Sequence, residues 1–309
     1  MHLIYSAKPA GKVLITVLAV CGLAAKLHAH GFEGDRFFPP TIVTDDPFAT
    51  DELALPVVSV FNNPAVGGAP KTRQIDISSE FDKEIFPKFA LGITGSYVIL
   101  QPKGQSTRTG FTNVSLITKY EVLENASHEL IFSVGGDVDL GGTGSRLVGR
   151  ESFSTYTPTI YFGKGLGDLP ETLKYLRPFA VTGTLGYAIP SESVNPNALD
   201  WGIAVEYSLP YLDQHVQEID WLRPFRNVIP LIEFAMSSPL NHAGGETTGT
   251  INPGLLWESR YFQIGAEAVI PVNGATGPNV GAIVQVEVFI DDLFPKIFGH
   301  PIFFGGESK

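Results

Sequence analysis

The sequence predicts an all-β fold, a transmembrane antiparallel up-and-down barrel of about 12 strands preceded by an irregular N-terminal segment. Three observations carry this. Apolar residues recur at every second position through one segment after another. Beyond the N-terminus no run of about 18 apolar residues occurs, so no helix there can span a bilayer. Charged residues make up only 17% of the 309, while Gly and Pro number 33 and 23, a profile of short strands joined by turns. Such a chain has little charge with which to cover a wetted surface. In hydrocarbon only helices and closed barrels leave no backbone group unpaired, so a membrane-embedded chain of this kind has to close its sheet.

Residues 1–29 read as a cleaved secretory signal peptide. Lys8 and Lys12 form the positive start, Val13 to Ala25 a short apolar core, and Leu27-His28-Ala29 a small-residue cleavage site. The core is too short for a comfortable membrane anchor. Cys21, the only cysteine, follows the bulky Val20 and does not fit a lipidation site, so the mature chain is expected to hold no disulfide. The 32 acids all follow residue 29, whereas Lys8, Lys12 and Lys26 of the 21 bases precede it. The mature balance of 18 bases against 32 acids, −14, argues against nucleic-acid partners.

Residues 30–52, rich in Pro, Gly, Asp and Phe, follow neither a helical nor a strand period. They read as an extended periplasmic segment and a candidate plug. From residue 53 to 290 the period is two. Leu130, Phe132, Val134, Gly136, Val138 and Leu140 alternate with Glu129, Ile131, Ser133, Gly135, Asp137 and Asp139. The same split recurs over 179–189, 199–209 and 280–288, each an apolar face against a small or acidic one. Strands are expected near 53–61, 73–85, 89–100, 111–123, 128–140, 152–162, 178–189, 198–209, 225–236, 247–257, 260–271 and 279–290.

The connections alternate in character. One set, including PAVGGAPKT and SSPLNHAGGE, is Gly-, Ser-, Asn- and Thr-rich, while the other is mostly tight, as in FPK, LENAS and ESR. This is the pattern of a barrel with long loops outside and short turns in the periplasm. Two longer periplasmic connections each end in LRPF, at 176–179 and 222–225. Each LRPF is read as opening a strand, with Arg177 and Arg223 reaching lipid headgroups. Phe89 and Tyr97, like Phe179 and Tyr187, share a face eight residues apart, roughly 20 Å of rise at a tilt near 40°. With Trp201, Tyr207, Trp257 and Phe262 they form the expected aromatic girdles.

The inward face is one-signed. Glu129, Asp137, Asp139, Asp200, Glu206, Glu233, Glu267 and Glu287 are expected to line the lumen, joined by Glu121, with Lys119 the lone base. Carboxylate rings favour cations in pores. Ile117, Ile131 and Ile283 also point inward, which leaves an apolar path open. An enzymatic reading would rest on His242 in an external loop near Ser237, Ser238 and Asn241, but sequence neighbours alone do not make a triad. The acidic pairs Asp45-Asp46, Asp51-Glu52 and Asp291-Asp292 lack the spacing of a calcium loop, and Asp before Pro47 reads as a turn. No nucleotide-binding motif occurs, so no cofactor and no metal are expected.

Segments such as GDRFFPPTIVTDDPF and VEVFIDDLFP, with the strand-and-loop layout after residue 53, resemble outer-membrane barrels grouped with the phenol meta-pathway transporter-like proteins. The resemblance implies an outer-membrane location, contact with membrane lipid and the barrel assembly machinery, and transport of small aromatic or hydrophobic compounds. It supplies no catalytic residues. Many such barrels end on an aromatic residue, whereas here a periplasmic tail, 291–309, follows the last strand and Phe303-Phe304 stop short of the end. The expectation is therefore a small-solute channel or transporter. Its alternatives are a plugged structural or binding barrel that displays loops, and a secreted soluble β-rich protein.

Overall fold

The computed structural model describes residues 31–65, 68–219, 223–241 and 245–303. The signal segment with Cys21, together with His242, lies outside the described residues. A small hairpin comes first, β1 (Phe32–Glu33) against β2 (Arg36–Phe37). The barrel follows: β3 (Glu52–Asn63), β4 (Thr72–Phe86), β5 (Phe89–Pro102), β6 (Arg108–Phe111), β7 (Val114–Asn125), β8 (Leu130–Leu140), β9 (Thr155–Gly165), β10 (Phe179–Pro190), β11 (Ala198–Tyr207), β12 (Val228–Pro239), β13 (Thr248–Glu258), β14 (Phe262–Pro271) and β15 (Gly281–Phe289). Sequential strands pair antiparallel, and β15 pairs back onto β3 from Ala282↔Val60 to Phe289↔Glu52. The sheet is therefore a closed 12-strand barrel. β6 and β7 are one strand interrupted at Thr112–Asn113, since both pair with β5. Side chains hold the interruption: Thr112 Oγ1 accepts from the Ser96 amide at 3.0 Å, and Asn113 Nδ2 donates to Asp139 Oδ1 at 2.9 Å.

Alternation decides which way each side chain looks. Leu91, Ile93, Leu116, Val134, Ile160, Leu185, Leu255, Ile264 and Val284 are exposed on the outer face. A soluble monomer rarely shows so continuous an apolar surface, whereas a lipid-facing barrel wall requires it. The alternates Ile131, Ser133, Glu206, Glu233 and Glu287 are buried inside. Aromatic pairs stand toward the two rims. At the rim beside the β1–β2 hairpin, Phe179 meets Tyr207 edge-on at 4.8 Å and Phe86 lies 6.1 Å from Phe89. Toward the opposite rim, Tyr97 meets Phe111 at 5.1 Å, and the Tyr187 hydroxyl accepts from Asn197 Nδ2 at 2.9 Å. Trp201 sits in β11 opposite Leu185 and Met236.

The two LRPF segments behave differently. At the first, Pro178 directly precedes β10, but Arg177 turns into its own loop, donating to the Leu169 carbonyl at 2.8 Å and to Glu171 at 3.1 Å. At the second, Arg223–Arg226 form a helical turn and the strand begins only at Val228. The expectation that each LRPF opens a strand therefore fails for Arg223, while the Arg177 guanidinium, read as reaching headgroups, is engaged by acceptors of its own loop. Beyond β15 a helical turn, Ile290–Leu293, leads into the tail. The tail folds back on the rim: the amides of Ile302 and Phe303 donate to the carbonyls of Glu84 and Ile85, and Phe303 stacks on Phe86 at 5.4 Å. This stretch of β4 runs past the start of β3, which pairs only as far as Asp82, so its carbonyls are free for the tail.

Candidate functional site in the lumen

Residues 31–51 run inside the barrel, where inward-facing side chains supply the hydrogen bonds that this non-periodic backbone cannot make with itself. The hairpin is fixed by Arg36, which is fully buried. Its Nε lies 3.2 Å from Glu129 Oε2, Nη1 donates to the Pro178 carbonyl at 3.0 Å, and Nη2 donates to the Arg177 carbonyl. Its guanidinium also stacks 3.7 Å from the centre of the Tyr211 ring. Glu129 additionally accepts from the Gly167 amide at 2.9 Å and from the Tyr211 hydroxyl at 3.0 Å. Burial, then the charge of Glu129, pushes the Tyr211 phenol up to about 12. Glu129 holds a left-handed backbone, φ +46, which side-chain-bearing residues seldom adopt.

Further along, Glu233 accepts three successive backbone N–H groups, from Ile42 at 2.8 Å, Val43 at 3.1 Å and Thr44 at 2.5 Å. Gln263 donates to the Pro40 carbonyl, Ser133 to the Pro47 carbonyl, and the Ala49 amide to Glu121 at 2.7 Å. Lys119 reaches Asp45 at 2.9 Å and Asp46 at 3.9 Å. Asp51 closes the segment by binding Lys83 at 2.5 Å and the Gly299 amide of the tail at 3.1 Å. Phe38 and Phe48 pack with Ile131 and Ala180, and Phe37 packs with Ile229, Leu231, Leu256 and Phe289. In this half the lumen is thus filled by the inserted segment and the side chains packed around it.

The sequence-predicted acids therefore divide. Glu129 lies in the turn after Ala126–His128, before β8 begins, and anchors Arg36 instead of lining a strand. Glu233 and Glu121 are occupied by the inserted backbone. Glu206 is buried with neither carboxylate oxygen partnered, and Glu258 Oε2 shares that condition. Glu267 is buried as well. Asp139 bonds Asn113 and Ser115, while Asp200 sits between Gly186 and Ser237 on its neighbouring strands. Asp137 and Glu287 reach a sizeable polar space.

That space is a cavity of about 380 Å³ between the inserted segment and the wall. Asp45 and Asp46 of the segment, Glu52, Glu80, Asp82 and Glu287 of β3, β4 and β15, and Asp137 of β8 line it. Ile117, Ile283 and Tyr161 supply apolar wall. Glu80 and Asp82 were legible in the sequence: Gln74, Asp76, Ser78, Glu80, Asp82 and Glu84 alternate through β4, the same signal read elsewhere. Arg36 and Tyr211 carried no such signal, because they lie in segments without a period. Among the described residues no group of three or more His, Cys, Asp or Glu is arranged to hold a metal ion. At the rim His128 Nδ1 lies 3.0 Å from Asp168, while the neighbouring Ser127 hydroxyl bonds Asn125.

A second cavity of about 430 Å³ opens on the outer face between β5, β7, β8 and β9, lined by Leu91, Leu116, Val138, Tyr156 and Pro158. Ile117 and Asp137 line both cavities. The β7–β8 and β8–β9 ladders run unbroken past this cavity, while on the far side of β9 the ladder to β10 lapses between Thr159 and Tyr156, around Pro158, which has no N–H to give. Gly136, at φ +155, lies so close to β9 that a Cβ would strike the Thr157 carbonyl.

No family model and no curated protein matches the chain. The likeness to the phenol meta-pathway group therefore stays a resemblance of sequence segments. Among solved structures the chain is similar to an outer membrane channel from Pseudomonas putida F1, 11% identical over 82% of this chain and 99% of that one, TM-score 0.49. It is similar to the KdgM porin, 11% identical over 77% and 98%, TM-score 0.43. It is also similar to outer membrane phospholipase A from Escherichia coli, 10% identical over 79% and 97%, TM-score 0.41. The barrel assignment rests on the closed ladder of strands itself.

Proposed function

We propose that this protein is an outer-membrane channel for small solutes, with an acidic, cation-favouring lumen that residues 31–51 occupy and restrict. It works without catalysis, in contact with outer-membrane lipid after export through its signal peptide and insertion by the barrel assembly machinery. The observation that carries the reading is a closed barrel, apolar outside, whose interior holds a cavity of about 380 Å³ lined by seven carboxylates. Fixed negative charge at a narrow passage raises the local cation concentration and repels anions. Planar-bilayer recording of the mature chain, with and without residues 31–51, tests it. Cation-selective conductance that rises on deletion is expected; the absence of conductance in both forms refutes it.

A second reading, passage of small aromatic or hydrophobic compounds, is favoured by the apolar outer-face cavity, which shares Ile117 and Asp137 as lining residues with the lumen cavity. A binding barrel closed by its own N-terminal segment is a third, favoured by the number of bonds that hold that segment. Uptake of a radiolabelled aromatic into proteoliposomes separates the second reading from both others.

A further inference from the structure

Seven carboxylates line the lumen cavity, and Lys119, the base that reaches this group, is engaged by Asp45 and Asp46. Glu80 and Glu287 are both in register with Ala54, one from each side. Their backbones therefore stand two strand spacings apart, about 10 Å, with only a methyl group between them. Gln285 lines the same cavity, is 5% exposed, and its carbonyl Oε1 has no donor within reach. Its amide nitrogen already donates to Glu287 at 3.2 Å.

A carboxylate and an amide carbonyl only accept hydrogen bonds, so the missing partner is rich in donors and positively charged. A compact divalent ion does not suit the site. Such an ion gathers six or more oxygens at short range, and among the described residues no acidic group converges in that way. The carboxylates are instead dispersed around a space whose remaining wall includes Val57, Ile117 and Ile283. Separated anionic points joined by apolar wall match separated ammonium groups joined by methylene chain.

The geometry points to a site for an extended aliphatic diammonium or polyamine cation, held between Glu80 and Glu287, with Gln285 accepting one N–H and the isoleucines covering the chain. This deepens the cation-favouring channel reading and rests on it. The test is calorimetric titration of the refolded full mature chain with 1,4-diaminobutane and spermidine, against butylamine and Mg²⁺. Both polyamines should bind saturably, and butylamine and Mg²⁺ about tenfold or more weaker. Glu80→Gln with Glu287→Gln, which keeps shape and removes charge, should weaken spermidine by about tenfold or more, and Gln285→Leu by severalfold. The rim variant Glu171→Gln should leave binding unchanged. Heat-modifiable gel migration verifies that each variant is folded. Absent binding, equal binding of Mg²⁺ or butylamine, or unchanged affinity in the double variant each overturns the site. Calorimetry does not depend on conductance, so a chain that binds polyamine without conducting refutes the channel reading alone, and one that conducts without binding refutes this site alone.

Discussion

Replacing Arg36 by alanine should free the inserted segment while leaving the barrel closed. Arg36 is wholly buried and holds the segment through Glu129, two backbone carbonyls and the face of Tyr211. Removing one partner of a buried ion pair costs about 3–5 kcal/mol, because the other charge stays behind uncompensated. Here Glu129 keeps the Gly167 amide at 2.9 Å and the Tyr211 hydroxyl at 3.0 Å, so the lower end, about 3 kcal/mol, is the better figure. At about 1.4 kcal/mol per factor of ten, the undocked population should rise about 100-fold. No barrel-strand backbone bond is touched, so heat-modifiable migration should persist. Two assays read the change: proteinase K cleavage within residues 31–51, and open-channel dwell time in a planar bilayer. Both should increase. Arg36→Lys should recover little, since an ammonium cannot reproduce the guanidinium's several fixed contacts. Arg36→Ala with Glu129→Ala should recover part, because no charge is then stranded. If Arg36→Ala matches the parent in both protection and dwell time, the latch reasoning is wrong.

Other outcomes follow from the same contacts. Glu206→Leu should raise unfolding stability in detergent by about 1–3 kcal/mol, because it removes a buried carboxylate with no partner; a lower urea midpoint would show that the carboxylate is satisfied. Lys119→Met should increase the cation-to-anion permeability ratio and loosen the segment, since Asp45 and Asp46 lose their ammonium; reversal potentials under a salt gradient measure this. The folded-state pKa of Tyr211 is raised from the ordinary 10 to about 12. Its contribution is therefore complete below pH 10 and is lost as pH rises through 12, so protease accessibility of the segment should climb over that window, and Tyr211→Phe should abolish the climb. Phe303→Ala should lower the urea midpoint by the equivalent of about 1 kcal/mol through loss of its stack on Phe86.

The wall of the barrel was readable from residues alone. A strand exposed to lipid on one side and to water or polar atoms on the other must alternate, and that alternation survives in the sequence wherever strands occur. The strands lie within a few residues of where the alternation ended, and tight turns alternate with longer loops from rim to rim except at the long connections 166–178 and 208–227. The misplacements fall where a local signal has two outcomes. LRPF fits a strand start, and at Phe179 it is one, yet at the second copy Arg223–Arg226 wind into a helical turn before β12. Glu129 has the parity of a lumen residue, yet it turns out of the strand to meet Arg36.

By itself the sequence determined a closed barrel with apolar side chains turned outward and carboxylates turned inward, because each of those properties repeats with the backbone period and needs only neighbouring residues to state it. Only the tertiary structure decided that residues 31–51 enter the lumen, that Glu233 and Glu129 serve that segment, and that Glu80, Glu287 and Asp137 are left around a shared cavity. Those contacts join residues from 93 to 191 positions apart, and an irregular segment has no period to announce which partners will satisfy its backbone. The lumen is therefore specified by hydrogen-bond demand across the fold, and the wall by alternation along each strand.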